Sequence, residues 1–315
     1  MPISAGWKRL LDLLFLSILF TALLLLTTNS SYARSIQNNN STEQQSSIRV
    51  GLIPEQDLFS QKKRYQPLMD YLAVELDIQI ELYVLPRYGN LIENFNQLGL
   101  DAAFFGSFTG AMAIKTLEVI PLARPQFLGG KSSYYGLVFV RKDSGIKTAE
   151  DLRGKKMVFV DRATTAGYLL PRAYFKQLGI LNYADWFASY YFSGTHEDAI
   201  LEVLHGHADI GAAKNTIFYK MAQANPLITK NLQILATSPQ VPANTLAVRK
   251  DLPEELRIKL KEKLLSMQKT ANGKKILAEF GAEKFISTSS QDYQPVLDYA
   301  SQIGLKLDNY RYFND

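Results

Sequence analysis

The sequence predicts an α/β protein of two hinged lobes, each a mainly parallel sheet flanked by helices. Three observations carry this. Short apolar runs alternate with amphipathic helical patterns, as parallel strands joined by helices require. The alternation occurs twice, with an internal echo: Gly99-Leu-Asp101-Ala-Ala-Phe in one half answers Gly206-His-Ala-Asp209-Ile-Gly-Ala-Ala in the other. In each, a helix ends at Gly, an Asp follows, and small residues lead to a polar turn. Two apolar stretches, Tyr134–Gly145 and Leu232–Pro253, join the halves, and two crossings make a hinge.

The N-terminus stands apart. Lys8 and Arg9 precede an apolar run from Leu13 to Leu26, and the small-x-small triplet Ser31-Tyr32-Ala33 follows. These are the three regions of a secretory signal peptide. The run is short of the ~20 residues of a membrane span. Cleavage after Ala33 and a periplasmic location are expected, an uncleaved anchor being the alternative. Residues 34–47 are polar and read as a flexible tether.

In the first lobe, "IRVGLIPE" (48–55) is a strand ending in a Pro-Glu turn. Tyr65, Leu68, Met69, Leu72 and Leu76 then share one face of a helix. "IQIELYVLP" (78–86) is the second strand, "NLIENFNQLG" a short helix, and "LDAAFFGSFTGAMAI" a buried strand, a Gly-Ser turn and a helix start. The second lobe repeats this. "KKMVFVDR" is a strand followed by a helix, Phe187–Gly194 a strand, "HEDAILEVLHG" a helix, and "ADIGAAKN" a small strand with a polar turn. C-terminal helices carrying Leu256, Leu260, Leu264, Ile276, Leu277 and Phe280 should return to the first lobe. The expected division is 48–140 plus 246–315 for lobe 1 and 141–245 for lobe 2, with crossings near 135–145 and 236–250. Pro171 falls about two turns into a helix starting near Thr165, where its missing N–H requires a kink or a late helix start.

The chain has 315 residues, a net charge of +5 and no cysteine. At roughly 100–200 residues per domain this suits two domains. Without disulfides or a lipid-anchored cysteine, an exported chain depends on its core. No Lys/Arg run suggests a nucleic-acid patch, and mild basicity suits a small anion.

In open α/β sheets, ligands bind beyond the carboxyl ends of the strands. At one such end, "VDRATTAGYLLP" (160–171), a strand hands over to a helix through Thr164, Thr165, Ala166 and Gly167. The plain reading is an N-cap. The other is an anion site, where helix N–H groups and hydroxyl donors converge. Other strand ends supply Tyr88, Ser107, Tyr134, His196, Lys214 and Asn215. Hydroxyl, imidazole, amide and ammonium are the donors a tetrahedral oxyanion needs. Each also has a plainer role: Tyr88 closing a strand edge, Ser107 capping, His196 opening a helix behind Thr195, Lys214 in solvent. Their coincidence at strand ends in both halves favours a ligand site. If Lys214 reaches the cleft, it favours a small oxyanion over a ligand that carries an ammonium, which it repels.

The carrying stretches are "RVGLIPEQD", "YGNLIENFNQLGLDAAFFGS", "VFVDRATTAGYLLPRAYFKQLGI", "SGTHEDAILEVLHGHADIGAA" and "ANGKKILAEFG". In this order and spacing the chain resembles the phosphate/phosphite/phosphonate-binding proteins of ABC transporters, type II periplasmic binding proteins, from Arg49 to about Ile286. The resemblance implies that Thr164, Thr165 and the Ala166 N–H face the phosph(on)ate oxygens, joined by Tyr88, Tyr134 and His196. It implies a transporter permease as partner. Three departures bear on the ligand: Ala166 lacks a hydroxyl that the family loop often carries, Phe105 stands where some relatives have a tyrosine, and Lys214 stands in a region where aminoalkyl-phosphonate binders offer polar or acidic groups.

An enzyme is the first rival. Gly106-Ser107-Phe108-Thr109-Gly110 is not Gly-x-Ser-x-Gly, no Gly-x-Gly-x-x-Gly follows a strand, and no carboxylate pair is placed for acid–base work. His205 and His207 lack a third ligand nearby in sequence. No catalytic residue, metal or cofactor is expected. The second rival is a sensory protein with the same ligand but a membrane kinase or chemoreceptor as partner. The chain is expected to act as a monomer.

Overall fold

The computed structural model describes residues 47–307, 310–312 and 314. The signal peptide and nearly all of the tether read from the sequence lie outside the described residues. Among the described residues, no helix is long and apolar enough to cross a membrane.

The first lobe opens with β1 (Ser47–Leu52), α1 (Leu58–Leu76), β2 (Gln79–Val84), α2 (Tyr88–Glu93), β3 (Ala102–Phe105), α3 (Ser107–Thr116) and β4 (Ile120–Phe127). β5 (Ser133–Tyr134) is a short hinge strand. The second lobe holds β6 (Gly136–Arg141), β7 (Lys156–Phe159), a single π turn (Thr165–Leu169) and α4 (Leu170–Gln177). There follow α5 (Tyr183–Trp186), β8 (Ser189–Phe192), α6 (His196–Leu204), β9 (Ile210–Lys214), α7 (Asn215–Ala224), α8 (Leu227–Asn231) and β10 (Leu232–Thr237). The chain returns through β11 (Val241–Pro242) to β12 (Thr245–Val248), α9 (Glu254–Ser266), α10 (Ala271–Phe280), β13 (Ala282–Ser287) and α11 (Gln294–Gln302).

Two sheets result, in the orders β13-β4-β12-β3-β1-β2 and β10-β6-β9-β7-β8. In each, one strand lies between two parallel neighbours: β1 between β2 and β3, β7 between β8 and β9. Beyond these the sheets turn antiparallel, because β12 pairs with β3 and β6 with β9 in the opposite sense. The sheets are therefore mixed where the sequence reads as mainly parallel. β6 and β12 are the strands that enter each sheet directly from the hinge strands β5 and β11. β5 and β11 pair with each other, Tyr134 opposite Val241, and form the ribbon between the lobes.

The internal echo has a physical cause. The Asp101 carboxylate accepts from Arg49 N at 2.8 Å, and the Asp209 carboxylate accepts from Lys156 N at 2.8 Å. Each Asp satisfies an N–H near the start of the strand that lies between two parallel neighbours, β1 in one sheet and β7 in the other. Gly99 and Gly206 precede them at φ +59° and +79°, which a glycine adopts without steric cost.

Each sheet buries its faces. In the first lobe Leu52, Phe104 and Leu246 pack with Tyr65, Leu68 and Leu72 of α1. In the second, Phe159, Tyr168 and Phe175 form one cluster. Each such side chain contributes about 1.5–3 kcal/mol when fully buried. α9 and α10 pack on α1, as the sequence predicts, whereas α11 lies against both α3 and α4.

Pro171 both delays and distorts its helix. A π turn runs first, and α4 then begins at Leu170 with Pro171 in its first turn, where no backbone N–H is needed. Gly167 makes the turn possible: a Cβ there would lie 2.4 Å from Val160 and 2.9 Å from the Thr164 hydroxyl.

Candidate functional site

A cavity with about 210 Å³ of empty space lies where the two lobes meet. Glu55, which follows β1, and Tyr88, Gly106 and Thr109 come from the first lobe. Thr164, Thr165 and His196 come from the second, and Tyr134 and Asn244 from the crossings. Of the sequence-predicted residues, the structure thus gathers Tyr88, Tyr134, Thr164, Thr165 and His196 around one space.

The threonine loop is not a plain N-cap. Thr164 holds the cap position, but its side chain makes no capping bond. Its hydroxyl instead donates to Asp161 O at 2.6 Å. The Thr165 hydroxyl reaches across the cleft and accepts from Phe108 N at 2.8 Å. It therefore caps α3, a helix of the other lobe whose own cap residue, Gly106, has no side chain. Two helical N-termini, at Ser107 and at Thr165, converge here. Their first N–H groups lack intrahelical partners and carry partial positive charge.

His196 sits at the start of α6, 3% exposed. Burial, only partly offset by the nearby Glu55 carboxylate, holds its pKa down at about 3. It is neutral at physiological pH. Its Nδ1 accepts from Lys214 N at 3.3 Å, so the ring proton resides on Nε2 as a donor. The Tyr88 and His196 rings meet edge to face with centroids 6.0 Å apart.

Lys214 is buried, and its ammonium donates to Glu55 Oε1 at 2.6 Å and to Asn244 Oδ1 at 2.9 Å. It also lies over the Tyr134 ring, 4.3 Å from the centroid. Burial pushes the Glu55 pKa up, but the charges of Lys214 and Arg64 outweigh it and bring it to about 2. Burial lowers the Lys214 pKa, and the charge and hydrogen bond of Glu55 act against that shift. Glu55 is the residue that sequence reading misses, together with Asn244. Glu55 follows the buried run "GLIPE" and reads there as turn chemistry, and Asn244 follows the short strand β11; their role shows only in the long-range bonds to Lys214. Glu55 neutralises Lys214, which removes the ground for expecting the site to repel a ligand ammonium.

The remaining three residues sit one step away from the cavity wall. Ser107 donates to Pro242 O at 2.5 Å and holds Tyr134 OH at 2.9 Å. The Asn215 side chain accepts from Tyr135 N at 3.0 Å. Ala166 packs against Gly136 of β6. All three fix the crossings and helix ends that frame the cavity. His205 and His207 are exposed at the end of α6, with His207 Nδ1 3.5 Å from Glu202. Among the described residues no group of three or more His, Cys, Asp or Glu is placed to hold a metal.

Two buried polar atoms at the cavity have no hydrogen-bond partner: the Tyr88 hydroxyl and Asn244 Nδ2. Burial, and next the Glu55 charge, keep the Tyr88 pKa well above the usual tyrosine range, so it is a neutral donor.

A two-lobed α/β fold with a donor-lined cavity between helix N-termini defines a periplasmic binding protein. The chain belongs to the family of ABC transporter, phosphonate, periplasmic substrate-binding proteins, whose profile it matches over residues 50–293. It is 23% identical to a phosphonates-binding periplasmic protein of Escherichia coli (strain K12), over 90% of this chain and 83% of that one. It is 30% identical to a phosphate-import protein of Mycolicibacterium smegmatis, over 68% of this chain and 70% of that one. A solved Prochlorococcus marinus protein in complex with methylphosphonate shares the fold with a TM-score of 0.73 at 23% identity, covering 82% of this chain and 98% of that one. The type II periplasmic-binding-protein architecture and the role of a substrate-binding component of an ABC transporter are thereby shown.

Proposed function

We propose that this chain captures a small phosphorus oxyanion (phosphate, phosphite or an alkylphosphonate) in the inner cavity and delivers it to a transporter permease. One observation carries the reading. The Tyr88 hydroxyl and Asn244 Nδ2 are buried, unpaired and line the same small cavity. Each orphaned group costs about 1–3 kcal/mol. An oxyanion supplies acceptors for both.

The Thr165 hydroxyl, His196 Nε2–H and the Thr165 N–H complete the set of donors at the wall, with the Ala166 N–H one step behind them. Thr164 and Ser107 hold the loops that present them. Five or six charge-assisted bonds at ~1.5–3 kcal/mol each exceed an association cost of at least ~4 kcal/mol, which supports micromolar or tighter binding. The β5–β11 ribbon is the hinge about which the lobes open. Export by a signal peptide cleaved after Ala33 delivers the chain to the periplasm.

Calorimetry on the protein lacking residues 1–33 tests the reading. Methylphosphonate, phosphite or phosphate should bind with micromolar or tighter affinity. Failure of all three to bind overturns it.

A further inference from the structure

A second space lies beside the inner cavity. It is a groove of about 1880 Å³, walled by α1 of the first lobe and α7 of the second. Glu55 and Asn244 line both spaces and form the partition between them. The groove is the larger of the two spaces and adjoins the inner cavity, so it is where the substituent of a phosphorus head group finds room.

We propose that the groove is a subsite for the substituent of an organophosphorus ligand and selects a substituent carrying a second negative charge. This rests on the inner cavity being the phosphorus site. Lys63 and Arg64 line one wall and Lys220 the other. The lining carries four cations against two carboxylates, and one of those, Glu55, is held between Lys214 at 2.6 Å and Arg64 at 3.9 Å, which leaves Lys63 and Lys220 as the cations clear of it. The other, Glu279, is exposed at the rim.

Arg64 is fixed in place: its Nε donates to Phe280 O at 3.0 Å, and its guanidinium lies 4.6 Å over the Phe280 ring. Lys220 donates to Gln56 Oε1 at 3.1 Å. Arg64 and Lys220 face the same space from opposite lobes and repel each other. Burial, then the Arg64 charge, lower the Lys220 pKa. A carboxylate between them relieves that repulsion. At the partition, the Glu55–Lys214 pair is neutral as a whole, and Asn244 is only 6% exposed. The groove is thus continuous in chemistry with the cavity.

Calorimetry with three probes decides it: methylphosphonate, propylphosphonate and 3-phosphonopropionate, the last two of similar length and differing in charge. Each part-exposed charge pair is worth roughly two- to fivefold in affinity. The wild type should bind 3-phosphonopropionate about tenfold more tightly than propylphosphonate. In the Lys63→Gln/Lys220→Gln double variant the gap should fall below threefold, with methylphosphonate affinity unchanged. Equal affinities in the wild type, or a gap that survives in the double variant, overturns the proposal. If methylphosphonate binds and neither longer probe does, the groove reading alone falls. If methylphosphonate does not bind, the phosphorus-site reading falls and takes this one with it.

Discussion

The Glu55 carboxylate and the Lys214 ammonium meet 2.6 Å apart across the cleft, one from each lobe. Their side chains are only 3% and 5% exposed. A pair so placed ties the lobes together, and removing one partner leaves the other buried and uncompensated.

We expect Glu55→Gln to lower unfolding free energy at pH 7 by about 3–5 kcal/mol. Glu55 has a folded pKa of about 2, below its ordinary 4.5. Its contribution is therefore present above pH 4.5 and is lost as pH falls toward 2. Urea unfolding at pH 7 and pH 3 checks this. The gap between variant and wild type should shrink at pH 3, and a gap of equal size at both would remove the ion pair as its source.

Thr165→Val keeps the shape of the loop and deletes its oxygen. Methylphosphonate affinity should fall 10- to 150-fold, or about 1.5–3 kcal/mol. Stability without ligand should also fall, by about 0.5–2 kcal/mol, because Phe108 N loses its capping partner. A stability loss with affinity intact would leave Thr165 as an interlobe cap only.

Tyr88→Phe separates ligand recognition from folding by sign. The hydroxyl is buried and unpaired, so its removal should raise the melting temperature of the ligand-free protein. The same change should weaken methylphosphonate binding about tenfold, or ~1.4 kcal/mol. A variant that melts lower and binds normally would show that the hydroxyl faces a partner other than the ligand.

His196 governs the acid limb of stability. Burial lowers its pKa from 6.5 to about 3, so the fold favours the neutral ring. Its contribution is full above pH 6.5 and is lost as pH falls toward 3. Asp161 acts in the opposite sense, because burial raises its pKa from 3.8 to about 6 and its protonation favours the fold over that interval. His196→Asn should flatten the decline in urea stability between pH 6.5 and 4.5. An unchanged slope would assign the proton uptake to another group.

The sequence makes the fold legible because strands and helices alternate twice and because Asp101 and Asp209 mark equivalent points. It does not show that β6 and β12 run antiparallel to their neighbours, since direction depends on where the hinge releases the chain. The helix-side donors, Thr164, Thr165 and His196, are readable because each follows a recognisable strand end. Glu55 is harder to see: in "GLIPEQD" it looks like turn chemistry, and only the Lys214 ammonium, 159 residues away, reveals its charge as interior. The capping of α3 by Thr165 is likewise a long-range bond with no local signature.

That bond bears on what a measured affinity means. The protein's own oxygens sit on two of the interior donors: Thr165 Oγ1 on Phe108 N, Glu55 Oε1 on Lys214 Nζ. An arriving ligand that uses either donor exchanges with a built-in imitation of itself. The observed free energy is then a difference between two satisfied arrangements, smaller than the sum of the new bonds. Deleting the internal oxygen at one of these points changes the starting state as well as the complex.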